Sequence, residues 1–248
     1  MKGIVFAILI ALAAAPATAA SAPPTLRKTP NLAKDAEAYP TLVGATPAIA
    51  RINRALRAAN ARQREDTKDC RRDAPQDGYW WEQSVDAPLI GAHFVSFWAH
   101  GNQSCGGAHP NLVDEALVFE LSTGERVDWR KLIPASLRGE PGRASDGTAP
   151  PADAIASPAL TALFIAESEK EGVDADCKQA FAEQEMNFEL WPDANAKGLA
   201  MRAANLLHSA EGPCSGPVTI PVETLKRLGF DASLIHDIET GLAQVADP

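Results

Sequence analysis

The sequence contains no apolar run long enough to cross a bilayer. A transmembrane helix needs about 20 mostly apolar residues, whereas the N-terminal run, Ile4–Ala15, has about a dozen. The chain also lacks an excess of basic residues, since 23 Lys and Arg stand against 32 Asp and Glu, a net charge of −9. Nucleic acids and anionic lipids attract Lys and Arg, so these absences argue against a nucleic-acid-binding or membrane-inserted protein.

The N-terminus has the pattern of an export signal. Lys2 precedes the apolar run, and the segment Pro16–Ser21 supplies small residues at A-x-A spacing. This three-part pattern is typical of a secretory signal peptide. We therefore expect residues 1–20 to be removed, residues 21–38 to form a flexible leader, and the mature chain to be periplasmic or secreted. An uncleaved N-terminal anchor is the alternative.

Four cysteines, an even number in an exported chain, indicate a disulfide framework. Three pairings are possible. Cys70 and Cys105 flank one predicted hairpin almost symmetrically, and Cys177 and Cys214 flank a second one. We therefore expect the bonds Cys70–Cys105 and Cys177–Cys214.

Motifs for metal binding and for nucleophilic catalysis are missing from the sequence. It has no C-x₂-C or H-x₃-H spacing, which argues against a zinc site. Ser104 lies in no G-x-S-x-G elbow, and cysteines in disulfides cannot act as nucleophiles. We expect no cofactor, no metal and no catalytic residue.

The hydrophobic pattern predicts an α+β fold, with an antiparallel sheet, packed helices and two disulfides. Thr46-Pro47 starts a predicted helix that runs to about Arg64. From Gly78 to Leu121 the apolar period is two, which is typical of strands. Residues 138–156, rich in Gly, Pro, Ala and Ser, predict a flexible loop. Further helices are expected at about 157–171, 222–228 and 232–243, a second hairpin at 187–207, and a short strand at 218–220.

Within the predicted strands, alternation separates the side chains into two faces. Phe94, Ser96 and Trp98 share one face, whereas Val95 and Phe97 share the other. The adjacent Trp80 and Trp81 are expected to point to opposite sides, so that one is in the core and the other can stack on a partner. Acidic residues around the third strand are expected to form a solvated face; they are Asp114, Glu115, Glu120, Glu125 and Asp128.

Three stretches of the sequence resemble the exported proteins of the RsiV-like family, which contain DUF4163 and DUF3298 modules. The opening Tyr39–Gly44, followed by Ile52-Asn53, is similar to the family's YP-x-L-x-G … IN. The middle stretch contains Gly106-Gly107-Ala108-His109-Pro110 and then Phe119–Gly124. The third contains Phe188-Glu189-Leu190 and Val218–Pro221. The resemblance implies a DUF4163-like part at 39–110 and a DUF3298-like part at 111–248.

The resemblance implies an exported binding protein, because in some members of this family the extracellular module binds lysozyme. Family members that act as anti-sigma factors have a cytoplasmic segment and a transmembrane helix, and others carry a polysaccharide deacetylase domain; we expect neither here. The implied partner is a basic protein such as lysozyme or a cell-wall component, with no nucleic acid and no stable membrane insertion.

The GGAHP stretch is the candidate ligand-facing loop. Its two glycines permit positive φ in a tight turn, and Pro110 holds His109 extended. His109 either hydrogen-bonds the backbone and locks the loop or contributes to a ligand-binding surface. The ligand-binding candidates are His100, Asn102, Gly106, Gly107, His109 and Asn111.

Three functions remain open on the sequence alone. The first is a non-enzymatic module that binds a protein or a cell-wall ligand. The second is an envelope hydrolase that uses His109 and nearby carboxylates. The third is a folding or stability module without a small ligand.

Overall fold

The computed structural model describes residues 23–74, 78–107, 109–142, 153–206, 210 and 213–244. The predicted signal peptide, residues 1–20, lies outside the described residues, as does most of the predicted loop at 138–156. The helices of the described part are α1 (Pro47–Asp73), α2 (Trp129–Leu132), α3 (Pro158–Lys170), α4 (Ala175–Glu183), α5 (Val222–Leu228) and α6 (Ala232–Thr240). The strands are β1 (Thr25–Arg27), β2 (Thr41–Val43), β3 (Tyr79–Ile90), β4 (Phe94–Cys105), β5 (Asn111–Glu120), β6 (Glu140–Pro141), β7 (Ile155–Ala156), β8 (Asn187–Asp193), β9 (Gly198–Ala203), β10 (Val218–Pro221) and β11 (Leu242–Gln244).

A long antiparallel sheet, ordered β11-β3-β4-β5, lies at the centre of the fold. The predicted alternation in β4 is confirmed. Val95 and Phe97 belong to the core beneath α1, together with Leu117 and Phe119 of β5. Phe94 and Trp98 contact the other core instead, which the long sheet shares with the rest of the chain.

A second sheet, ordered β10-β9-β8-β7-β6, packs on that other face. All strand residues from Asn187 to Pro192 are buried, as expected for a strand covered on both sides. Helices α3 and α4 pack on the second sheet through Phe164 and Phe181, with Phe164 tilted against Phe188 of β8 at 5.3 Å between ring centroids. Hydrogen bonds also join the sheets. Ser96 Oγ donates to the Pro192 carbonyl, and the Ala194 amide donates to the Pro88 carbonyl. A third bond runs from the Ala116 amide of β5 to the Glu189 side chain of β8.

Helix α1 is longer than the sequence indicated. The predicted end near Arg64 is wrong, because the helix continues to Asp73. Its C-terminal half is polar overall, yet Gln63, Thr67 and Cys70 are buried at one-turn intervals. This stripe packs along the long sheet, so the tertiary contact extends the helix beyond its apolar segment.

Other boundaries also differ from the pattern-based expectation. After β5, an isolated bridge pairs Phe119 with Arg126, and Trp129 begins the helical turn α2. The last helix ends at Thr240, and the chain then adds β11 to the edge of the long sheet beside β3. Helix α4 and strand β1 were not foreseen.

Both predicted disulfides are present. Cys70–Cys105 joins the end of α1 to the end of β4, and Cys177–Cys214 joins α4 to the segment before β10. The α+β class with antiparallel sheets is confirmed. In the described part of the chain, no helix combines the length and the apolar character that a bilayer crossing needs.

Candidate functional site

The three long strands extend past the second sheet and leave part of one face uncovered by it. Their register places Trp80 opposite Ser104, Glu82 opposite Asn102, and Ser84 opposite His100. On the other side of β4, Asn102 lies opposite Leu112. All of these side chains point to the side of the second sheet. We call this group the open face; its members are Trp80, Glu82, Ser84, His100, Asn102, Ser104 and Leu112.

Burial separates the open face from its surroundings. Trp80 is 38% exposed, and Glu82 and Asn102 are exposed as well. On the opposite side of the same strands Trp81 and Val113 are buried under the end of α1 and the segment around Ala36. The prediction that one of the paired tryptophans is in the core is therefore confirmed, and Trp80 is the exposed one.

The sequence-predicted ligand residues fall into two groups. His100 and Asn102 lie on the open face, as neighbours along β4. Gly106, Gly107 and His109 belong to the exposed loop at the end of β4, and Asn111 begins β5. Asn111 is opposite Gln103, so its side chain points away from the open face. The structure thus brings together His100, Asn102 and Trp80 and places the GGAHP loop at their margin.

The GGAHP loop begins in a left-handed turn. Gly106 has φ of +84°, which a residue with a side chain adopts only with strain. The residue before it, Cys105, is tied through its disulfide to Cys70 on α1. The start of the loop is therefore fixed to the helix that covers the back of the sheet.

An aromatic stack forms the base of the open face. The His100 ring lies 4.2 Å from the Trp98 ring, and Trp98 lies 5.0 Å from Trp191 of β8, each pair stacked. His100 Nε2 is also 3.0 Å from an Asp86 carboxylate oxygen on β3. These contacts hold the His100 side chain in one orientation at the junction of the two sheets.

A buried group of charges lies beside this stack. Arg202 of β9 pairs with Glu189, its cross-strand neighbour on β8, and its Nη1 is 3.7 Å from an Asp114 carboxylate oxygen. Glu189 also accepts a hydrogen bond of 3.3 Å from the Ala116 amide of β5. The expectation that Asp114 belongs to a solvated face is wrong, because the partner that buries it comes from a distant segment.

Burial raises the pKa of Asp114 to about 6. Arg202 opposes this rise, Glu189 adds to it, and Trp98 and His100 contribute smaller lowering effects. The carboxyl group is thus poised within the pH range of ordinary biological environments. The sequence did not predict the burial of Asp114. Glu189 and Arg202 nevertheless stand out in the sequence, because they are charged residues within apolar stretches of strand.

The long sheet carries acidic side chains but no Lys or Arg. From Asp73 to Glu125 the sequence contains no Lys or Arg and eight Asp or Glu. Glu82 is exposed on the open face, whereas Arg202 is buried in its pair with Glu189. The open face carries an indole ring together with amide, hydroxyl and carboxylate groups. It can therefore make aromatic contacts and accept hydrogen bonds.

Other features of the fold are weaker candidates for a functional site. Within the described ranges, no group of three or more His, Cys, Asp or Glu side chains is arranged to hold a metal ion. A cleft lined by Arg126, Asp128 and Asp153 lies on the far side of β5, where Arg126 is paired with Asp153 and donates to the Ala116 carbonyl at 2.9 Å. Asp128 of this cleft pairs with the neighbouring Arg130.

Comparison with known proteins adds one finding about the fold. Neither a protein-family model nor a curated protein matches this chain. Among solved structures, the chain is similar to a member of the DUF3298 family from Bacteroides fragilis NCTC 9343, with a TM-score of 0.50 and 13% sequence identity over 88% of this chain and 95% of that one. The similarity covers nearly the whole of both proteins. The chain therefore shares its fold with a member of the DUF3298 family, as the middle and final motifs led us to expect.

Proposed function

We propose that the mature protein is an exported, non-enzymatic binding module of the bacterial envelope. Its open face would dock a basic partner protein, and lysozyme is the example that the RsiV-like resemblance suggests. The observation that carries the proposal is the absence of Lys and Arg throughout the long sheet, combined with exposed Trp80 on its open face. Complementary charge steers partners together and fixes their orientation.

The open face is also rigid, as a docking surface should be. It belongs to three long strands whose opposite side packs on α1, so little ordering is needed on binding. An exposed tryptophan beside hydrogen-bonding side chains is the composition found at energetically important contacts. Arginine and lysine side chains of a basic partner can pair with Glu82 and pack their stems on the Trp80 ring.

Export is part of the proposal and draws on two features. The N-terminal sequence has the signal-peptide pattern, and the four cysteines form two disulfides, which persist outside the reducing cytoplasm. Membership of the RsiV-like group, with a DUF4163-like first part, belongs to the same proposal. It is supported by the opening motif around Tyr39, whose backbone N–H and carbonyl both bond the Asn60 side chain of α1.

The test measures lysozyme binding to the immobilised mature protein and to two charge-reversal variants. Glu82→Arg reverses a charge on the open face, whereas Glu65→Arg makes the same change on exposed α1. We expect Glu82→Arg to weaken binding by roughly tenfold or more, and Glu65→Arg by less than about twofold, with added salt weakening the wild-type complex.

Three results would contradict the proposal in different ways. Equal effects of the two substitutions would remove the open face as the docking surface. No lysozyme binding, with binding of soluble peptidoglycan fragments instead, would replace the basic protein by a cell-wall ligand. No binding of either would leave the folding or stability module as the better description.

A further inference from the structure

Five strands contribute one ionisable side chain each to the floor of the open face. Asp86 comes from β3, His100 from β4, Asp114 from β5, Glu189 from β8 and Arg202 from β9. The two sheets meet here through charge as well as through apolar packing. The charged groups with the largest effects on the pKa of Asp114 are Arg202, Glu189 and His100.

The partners of Arg202 are unequal. Glu189 is its direct cross-strand neighbour within the second sheet and forms the shorter contact. Asp114 belongs to the other sheet and lies 3.7 Å from the guanidinium. Glu189 is further held by the Ala116 amide. Asp114 is therefore the carboxylate that can lose its charge with the least disturbance of the pair that remains.

We propose that Asp114 is a proton-operated contact between the open face and the second sheet. Ionised, it holds Arg202 against the floor of the open face and adds a negative charge beneath it. Protonated, it gives up the ionic contact and that charge together. The structural part of this inference stands alone, and its consequence for binding rests on the proposed function.

The direction of the effect follows from the charges. Because burial raises the pKa of Asp114 to about 6, the carboxyl group is mainly ionised at pH 7.5 and mainly protonated at pH 5. Acidification therefore makes the open face less negative. A basic partner that binds at neutral pH should then be released in mildly acidic surroundings.

The first experiment needs no partner. A ¹³C NMR titration of the aspartate carboxyl signals in the mature protein, with Asp114 assigned through Asp114→Asn, should show this group titrating near pH 6. Arg202 side-chain signals should change over the same pH interval. A midpoint below about 4.5, close to that of an ordinary aspartate, would overturn the inference whatever the partner is.

The second experiment connects proton uptake to binding. Lysozyme affinity is measured at pH 7.5 and pH 5.5 for wild type, Asp114→Asn, and the control Glu65→Gln, which removes an exposed charge on α1. We expect the wild-type affinity to fall about three- to tenfold on acidification, the control to behave in the same way, and Asp114→Asn to show a much smaller change. His100→Gln should keep the Asp114-dependent loss, which separates Asp114 from the neighbouring histidine.

The outcomes distinguish the two proposals. Titration of Asp114 near pH 6 without lysozyme binding at any pH would support the proton-operated contact and contradict the proposed partner. Lysozyme binding whose pH dependence is the same in Asp114→Asn and wild type would support the partner and overturn the regulatory role of Asp114.

Discussion

Among single residues, Asp237 joins two elements of the fold through one buried carboxylate. Its side chain is fully buried at the end of α6 and accepts hydrogen bonds from the His93 amide at 2.7 Å and the Phe94 amide at 2.8 Å. The His93 ring nitrogen Nδ1 is 2.9 Å from its other oxygen. One carboxylate thus fastens the C-terminal helix to the turn that joins β3 and β4.

Replacing Asp237 should be costly, because the buried Phe94 amide and the partly buried His93 amide would both lose their acceptor. We expect Asp237→Ala to lower the free energy of unfolding by about 3 kcal/mol. The control Glu239→Ala, two residues further along α6, removes only a solvent-exposed ion pair with Lys226 and should cost less than about 1 kcal/mol. Urea denaturation of the two variants tests this, and equal losses would contradict the role of Asp237.

On the open face, the sequence predicted the orientation of some single residues but not of others. Period-two alternation correctly separated Trp80 from Trp81 and Val95 from Trp98, since a strand's side chains alternate wherever it lies. The same reasoning failed for Asp114. Its burial depends on Arg202, 88 positions further along the chain, and no local pattern encodes such a partner.

At the scale of elements, α1 and the Cys70–Cys105 bond act together. The polar second half of α1 is helical because one stripe packs on the long sheet, and the disulfide fixes its last turn to the end of β4. The sequence predicted the bond from symmetry about a hairpin but ended the helix too early, because tertiary burial of Gln63 and Thr67 leaves no apolar signature. Short strands such as β1 and β11 escaped prediction for a similar reason, since they exist by pairing with distant segments.

Removal of the two disulfides should have effects in different places. In the chain-entropy model, a loop of 35 or 37 residues contributes about 3–4 kcal/mol. We therefore expect Cys70→Ser/Cys105→Ser to lower stability by about that amount and to accelerate hydrogen exchange in the last two turns of α1. Cys177→Ser/Cys214→Ser should cost a similar amount and leave exchange in α1 unchanged.

Hydrogen-exchange mass spectrometry at a pH where both variants stay folded tests this prediction. Unchanged exchange at the end of α1 in the Cys70→Ser/Cys105→Ser variant would contradict it. In that case sheet contacts alone would hold the last turns of the helix.

For the whole molecule, two sheets of unequal strand length explain why the open face is left uncovered. The second sheet covers the part of the long strands around Phe94, Ser96 and Trp98. The remainder protrudes as the open face, backed by α1 and bounded by the GGAHP loop. The class of fold and both disulfides could be predicted from sequence, because they depend on local periodicity and on cysteine placement. The packing of one sheet on the other, which leaves the open face exposed, could not be predicted.

We propose above all that a basic partner docks on the open face. NMR cross-saturation from unlabelled lysozyme to the deuterated, ¹⁵N-labelled mature protein tests it directly. We expect the largest signal losses at the Trp80 indole N–H, the Asn102 side-chain amide and the Gly106–Gly107 amides. Losses confined to other surfaces, such as the exposed side of α1 or the Arg126 cleft, with Trp80 unaffected, would contradict it.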